Sequence, residues 1–143
     1  MFPNIETIII KNMKESELFE LLKNKYVQDL TKSQDEYAHF DCYSKIFKMF
    51  VELKCRGAHY DKLMIEKYKY DRLIELAAQK NYTPYYINST PNGVYAFKLV
   101  VEPEWSEKQL PKTTDFENNN LITKVIGYLD TKIAKKYFST FAI

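Results

Sequence analysis

Glycine is scarce in this chain: three residues in 143, beside five prolines. That excludes a collagen-like repeat and a Gly/Pro-rich disordered chain. Two cysteines are too few for a disulfide scaffold. Long apolar runs are missing too. The longest aliphatic one, Ile8-Ile9-Ile10, falls far short of a bilayer span, so no membrane association is expected. The start of the chain carries Glu6 rather than a basic stretch followed by an apolar one, so no secretory leader is expected. No P-loop, G-x-G-x-x-G or G-x-S-x-G motif occurs. This disfavours nucleotide-driven motors, dinucleotide-binding enzymes and serine hydrolases, and no nucleotide cofactor is expected. Excess charge is also lacking: 21 basic against 19 acidic residues gives +2, too little to imply a nucleic-acid partner by itself. The expectation is a soluble, cytoplasmic, single-domain protein spanning 1–143.

What is present is an ordinary globular balance, 45% hydrophobic and 28% charged, and long enough to bury a real core. Twelve tyrosines and nine phenylalanines are many for this length, and the Lys, Asn, Tyr and Ile content suits an AT-rich genome. Charge is unevenly spread. Glu15, Glu17, Glu20, Asp29, Asp35 and Glu36 make the early part acidic, and Lys62, Lys67, Lys69 and Arg72 cluster in the middle. No internal repeat is visible.

Leu18, Leu21, Leu22 and Leu30 predict a helix over 14–30. Residues 37–44 and 46–56, rich in aromatic and β-branched side chains, predict two strands. Asp61 is a plausible N-cap for a helix over about 62–80. Residues 83–89 and 94–102 predict a second pair of strands around the turn Pro91-Asn92-Gly93. Residues 103–120 look irregular, 121–129 read as a strand, and 130–138 are ambiguous. The sum is a mixed α/β domain with helices on a small sheet. Its core covers about 14–101, and 103–143 form an extension that completes or decorates the fold.

The two strands 37–44 and 46–56 each divide into two faces. Ala38, Phe40 and Cys42 share one face of the first, and Met49, Val51, Leu53 and Cys55 one face of the second. The opposite faces carry Tyr37, His39, Asp41 and Tyr43, and Phe50, Glu52, Lys54 and Arg56. A solvated sheet face gives the same alternation, but one mixing this many aromatics with charges looks partly buried. His39-x₂-Cys42 and Cys55-x₃-His59 have the spacing of a zinc site, yet His39 and Cys42 would point to opposite faces of a regular strand. Two buried thiols are the preferred reading.

Asp41, followed eleven residues later by Glu52-Leu53-Lys54 across a hairpin and then by a helix, resembles the PD-(D/E)XK nuclease superfamily. The resemblance covers about 14–101 and centres on Val51-Glu52-Leu53-Lys54-Cys55-Arg56. It implies a restriction-endonuclease-like mixed β-sheet flanked by helices, and a Mg²⁺-dependent endonuclease acting on DNA, with Mn²⁺ able to substitute. In that reading Asp41, Glu52 and the backbone carbonyl of Leu53 hold the metal, and Lys54 meets the attacking water and the phosphate. Lys69, inside the stripe Ile65, Lys69, Leu73, Leu76 and Ala77, best fits the basic group such a helix projects into the site; a snorkelling lysine fits equally, and Glu66 and Lys67 are weaker choices. A first-helix glutamate, Glu17 or Glu20, is an added ligand in many members. Arg56, Lys67 and Lys124 are candidate phosphate contacts. Phe40 stands where the motif has proline, and the turn near 44–47 has neither Gly nor Asn, so hairpin register decides whether Asp41 faces the site.

The chemistry asks for these residue types. Mg²⁺ takes hard oxygen ligands, usually only one or two carboxylates. Two such carboxylates raise each other's pKa until a cation arrives. A lysine ammonium can orient water and meet phosphate as a point charge. Family analogy points to a junction resolvase or a phage-encoded nuclease in the host cytoplasm, acting as a homodimer. The alternative is a non-catalytic nucleic-acid-binding or assembly module that keeps the fold.

Overall fold

Leu18, Phe19 and Leu22 recur at helical spacing and are all buried; they fix the first helix, α1 (Glu15–Lys25). Its first turn is closed by the Glu17 carboxylate, which accepts from the Lys14 N–H at 3.1 Å. These contacts come from a computed structural model that describes residues 13–34, 40–111 and 120–137. The strands that follow are β1 (Thr31–Lys32), β2 (Cys42–Ser44), β3 (Met49–Cys55) and β4 (Lys62–Glu66). Helix α2 (Lys67–Lys80) precedes β5 (Thr83–Thr90), β6 (Gly93–Lys98), β7 (Ser106–Pro111), β8 (Leu121–Asp130), a 3₁₀ turn (Thr131–Ile133) and β9 (Lys135–Tyr137).

The strands form two sheets. One has six strands in the order β1-β2-β3-β5-β6-β9, the other three in the order β4-β8-β7. Strand β3 is antiparallel to β2 and parallel to β5. The larger sheet is therefore mixed, and the expected mixed α/β class holds. A parallel pair needs a crossover, which β4 and α2 supply. Met49, Val51, Leu53 and Ile87 cover α1 on one face. Phe50, Tyr86 and Phe97 meet Leu73 and Ala77 of α2, and Leu63, Ile65 and Leu129 of the smaller sheet, on the other.

The β2–β3 hairpin turns without Gly or Asn. Lys48 takes the left-handed conformation, φ 52°. The turn is held from outside: Asp29 accepts from Ser44 Oγ at 2.6 Å and from the Ile46 N–H at 2.9 Å. Those bonds, the Ser44 hydroxyl first, keep the Asp29 carboxyl below its usual range. The resulting register pairs Cys42 with Val51. The predicted turn at 91–93 is also present, with Gly93 at φ 143°. Helix α2 ends at Asn81, left-handed at φ 57°.

Several sequence expectations are corrected. The helix expected over 62–80 begins at Lys67, and 62–66 are strand β4. Leu63 and Ile65 are buried while Lys62, Met64 and Glu66 are less so, a period of two that favours a strand. Ile65 thus leaves the predicted helical stripe, and Glu66 replaces Asp61 as N-cap. The strand expected over 46–56 starts only at Met49, and that over 94–102 stops at Lys98. Of the strand expected over 37–44, β2 accounts for Cys42–Ser44; Tyr37, Ala38 and His39 lie outside the described residues. Residues 106–111, expected to be irregular, form β7, and 135–137 form β9. Strand β7 lies at an edge and is mostly exposed, so no burial pattern marks it in the sequence.

Candidate active site

The register of β2 on β3 sets the site. The regular pairing ends with Cys42 opposite Val51; one residue earlier the Asp41 N–H also turns to the Val51 carbonyl, at 2.9 Å, and its side chain comes beside Glu52. Here the chain before β2 leaves β3, and the Asp41 carboxylate replaces the missing strand by accepting from the Leu53 N–H at 2.7 Å. In a strand the N–H and C=O of one residue face the same edge. The Leu53 carbonyl therefore faces the edge occupied by the Asp41 side chain. The two carboxylates and this carbonyl, the three expected ligands, are brought to one place.

Glu52 is largely buried, with 17% of its side chain exposed. Burial, then the Asp41 charge, push its carboxyl up to about 8, against a partial offset from Lys69. Lys54, two residues on and on the same face, is half-buried. Burial, then Lys69 and Arg56, push its ammonium below the usual lysine value. Lys69 reaches in from the first turn of α2, with Nζ 3.8 Å from Glu52 Oε1 and 3.8 Å from Glu66 Oε2. It meets acidic side chains at the site while 44% of its side chain stays exposed. Glu66 in turn accepts from Lys124 at 2.6 Å. Burial alone would raise Glu66, but Lys124 and Lys69 hold it below the carboxylate range. Lys124, Glu66, Lys69 and Glu52 thus form a chain of alternating charge leading to the carboxylate pair.

The glutamate that α1 brings here is Glu15. Burial and the Asp41 charge raise its carboxyl, and it lies within hydrogen-bonding reach of Asp41. Glu17 instead closes the helix start, and Glu20 is exposed. Glu15 was not among the expected residues. The signal was its spacing: Glu15 stands three, four and seven residues before Leu18, Phe19 and Leu22, so it extends their stripe to the helix start.

The three expected phosphate contacts all have internal partners. Arg56 donates to Asn88 Oδ1 at 2.7 Å, the Met64 carbonyl at 2.6 Å and Tyr86 Oη at 3.1 Å, bracing β3 against β4 and β5. Lys67 pairs with Asp71 at 2.6 Å, one helical turn on. Lys124 pairs with Glu66. His59, weighed as half of a zinc site, meets the Thr90 hydroxyl through Nδ1 at 2.9 Å. Cys42 is buried, and burial pushes its thiol far up; His39 lies outside the described residues.

The donor set fits Mg²⁺. It offers hard oxygens, and the raised carboxyls of Glu52 and Glu15 beside the Asp41 charge are what a divalent cation relieves. Among the described residues no three His, Cys, Asp or Glu side chains are grouped to hold an ion by themselves. Two carboxylates with the Leu53 carbonyl, completed by water and phosphate, is the arrangement these residues can offer.

No family model matches the sequence, and neither does any curated protein. Among solved structures, the chain is similar to Hjc of Archaeoglobus fulgidus, described as a Holliday junction resolvase from an archaeal hyperthermophile. The two are 13% identical over 80% of this chain and 88% of that one, with a TM-score of 0.49. At that identity and score the likeness carries no statement about the residues of the site. Among the described residues no helix is long and apolar enough to cross a membrane.

Proposed function

We propose that this chain is a Mg²⁺-dependent endonuclease of the PD-(D/E)XK type that hydrolyses DNA phosphodiester bonds. One observation carries the reading: Asp41, just before β2, and Glu52, on β3, share a half-buried site with Lys54 and Lys69. Asp41 and Glu52, with the Leu53 carbonyl, would hold the metal, and Glu15 would orient water beside it. When bound, the metal supplies a nucleophile at neutral pH and charge stabilisation at the phosphate. The chain's own groups do the rest. Lys54 holds the attacking water against a non-bridging phosphate oxygen. Its depressed basicity lets it pass a proton more readily than a solvated lysine. Lys69 offers positive charge where the phosphorane builds negative charge, and Glu66 keeps its ammonium aimed at that point. A homodimer cutting branched DNA in the cytoplasm extends the same reading.

The test is cleavage of linear, nicked, single-stranded and four-way-junction DNA with Mg²⁺ or Mn²⁺. Lys54→Ala is expected to lose activity by about 100-fold or more. Asp41→Asn is expected to remove both activity and the thermal stabilisation that the metal gives the wild type. Failure to cleave any substrate, without metal-induced stabilisation, rejects the nuclease and leaves a binding or assembly module.

A further inference from the structure

The face of β3 that carries Glu52 and Lys54 continues to Arg56, about 7 Å further along the strand. Arg56, the residue after β3, lines a cleft of about 600 Å³ on the smaller sheet. The cross-strand pair Met64 and Tyr128, together with Lys62 and Lys108, lines it as well, and Tyr60 stands at the rim. Tyr60 is 64% exposed and Tyr128 44% exposed, more than large aromatic side chains usually are. Lys62 and Lys108 are exposed as well. The Lys108 ammonium lies 3.5 Å from Tyr128 Oη, at the polar end of the ring. Among the described residues no acid lines the cleft; nearby, Asp130, opposite Lys62, accepts from the Lys132 N–H at 2.9 Å, and the Asp61 carboxylate, between Tyr60 and Lys62, is 96% exposed.

Two exposed rings and three cations, one of them fixed by internal hydrogen bonds, have a matching ligand chemistry. Rings stack on bases of any sequence, and lysines follow the phosphates. Bases within a duplex are already stacked on one another, so only unpaired nucleotides can offer a ring face here. The distance from Lys54 to Arg56 is about one nucleotide of an extended strand. From this geometry we infer that the cleft is a binding track for unpaired nucleotides flanking the phosphate held at Asp41, Glu52 and Lys54. The position of that phosphate rests on the nuclease reading above; the binding of unpaired nucleotides does not.

Fluorescence anisotropy with the whole chain, in EDTA so that nothing is cut, separates the two claims. The probes are labelled oligo-dT of about 12 nucleotides and a duplex of the same length. The single strand is expected to bind more tightly than the duplex. Tyr60→Ala and Tyr128→Ala are each expected to weaken it about tenfold. Tyr60→Phe and Tyr128→Phe keep the ring and are expected to bind as wild type, which separates stacking from loss of fold. Lys108→Met is expected to lower the slope of log K against log salt by about 0.7. Equal binding of single strand and duplex, or alanine variants that bind as wild type, overturns the proposal. So does sedimentation showing that Tyr128→Ala dissolves a dimer of a chain that binds no oligonucleotide, since a second copy would then fill the cleft. Binding that meets these expectations in a protein that cuts nothing supports the track and removes the nuclease.

Discussion

The two sheets are built from the same residue types but covered differently. The six-stranded sheet is packed on one face by α1 and on the other by α2 and the smaller sheet. The three-stranded sheet is packed on one face through Leu63, Ile65 and Leu129. Its other face carries Lys62, Lys108, Lys124 and Tyr128, of which only Lys124 is paired to an acid at 2.6 Å. The covered sheet supplies rigidity and the carboxylates; the half-covered one supplies cations and rings at the opening. Burial fixes a side chain's position, whereas exposure leaves it available to a ligand.

Substitutions can break that contrast, and the largest effect is expected in the covered sheet. Leu18 is fully buried between α1 and the sheet. Leu18→Ala is expected to cost about 2–5 kcal/mol of unfolding free energy, read from urea denaturation. In the smaller sheet the sensitive point is Gly127. A Cβ there would stand 2.8 Å from Pro103 Cγ and 3.0 Å from Trp105. Gly127→Ala is expected to cost about 1–3 kcal/mol and to disturb Trp105 fluorescence, because the proline and indole must shift together.

A smaller effect sharpens the comparison from the site itself. Folded Glu52 keeps its proton up to about 8, whereas in the unfolded chain it ionises near 4.5. Between those values the unfolded state binds fewer protons, so stability falls as pH rises through that window. In EDTA the wild type is expected to lose stability across it, read from urea denaturation at each pH, and Glu52→Gln to lose less. Equal pH profiles for the two proteins would show that burial of Glu52 costs nothing in the fold.

What the sequence revealed follows the same line. Strand β3 was legible because Met49, Val51 and Leu53 alternate with Phe50, Glu52 and Lys54, and burial on both faces rewards that order. Glu52 and Lys54 stand out on its second face, while Asp41 and Lys69 were named from the segment before it and the helix after it. Strand β4 was read as helix because Asp61 mimics a cap and Ile65 falls in register with Lys69 and Leu73; pairing with β8 overrode that local signal. Strand β7 left no pattern because its side chains meet water. Glu15 was missed although it shares the helical stripe of Leu18, Phe19 and Leu22 and Glu17 does not, because its use depends on a tertiary neighbour, Asp41. The hairpin register depended on Asp29, a side chain 17 residues before the turn amide it holds.

Strand β9 has a consequence for the order of assembly. It pairs with β6, Val94 with Tyr137 and Ala96 with Lys135. During synthesis β6 emerges well before its outer partner, so its hydrogen-bonding edge stays open for the time taken to translate the intervening residues. Covering it moves the free edge of the sheet to β9 itself, which is three residues long and carries Lys135 and Lys136, and a short, charged edge is a poor template for another chain.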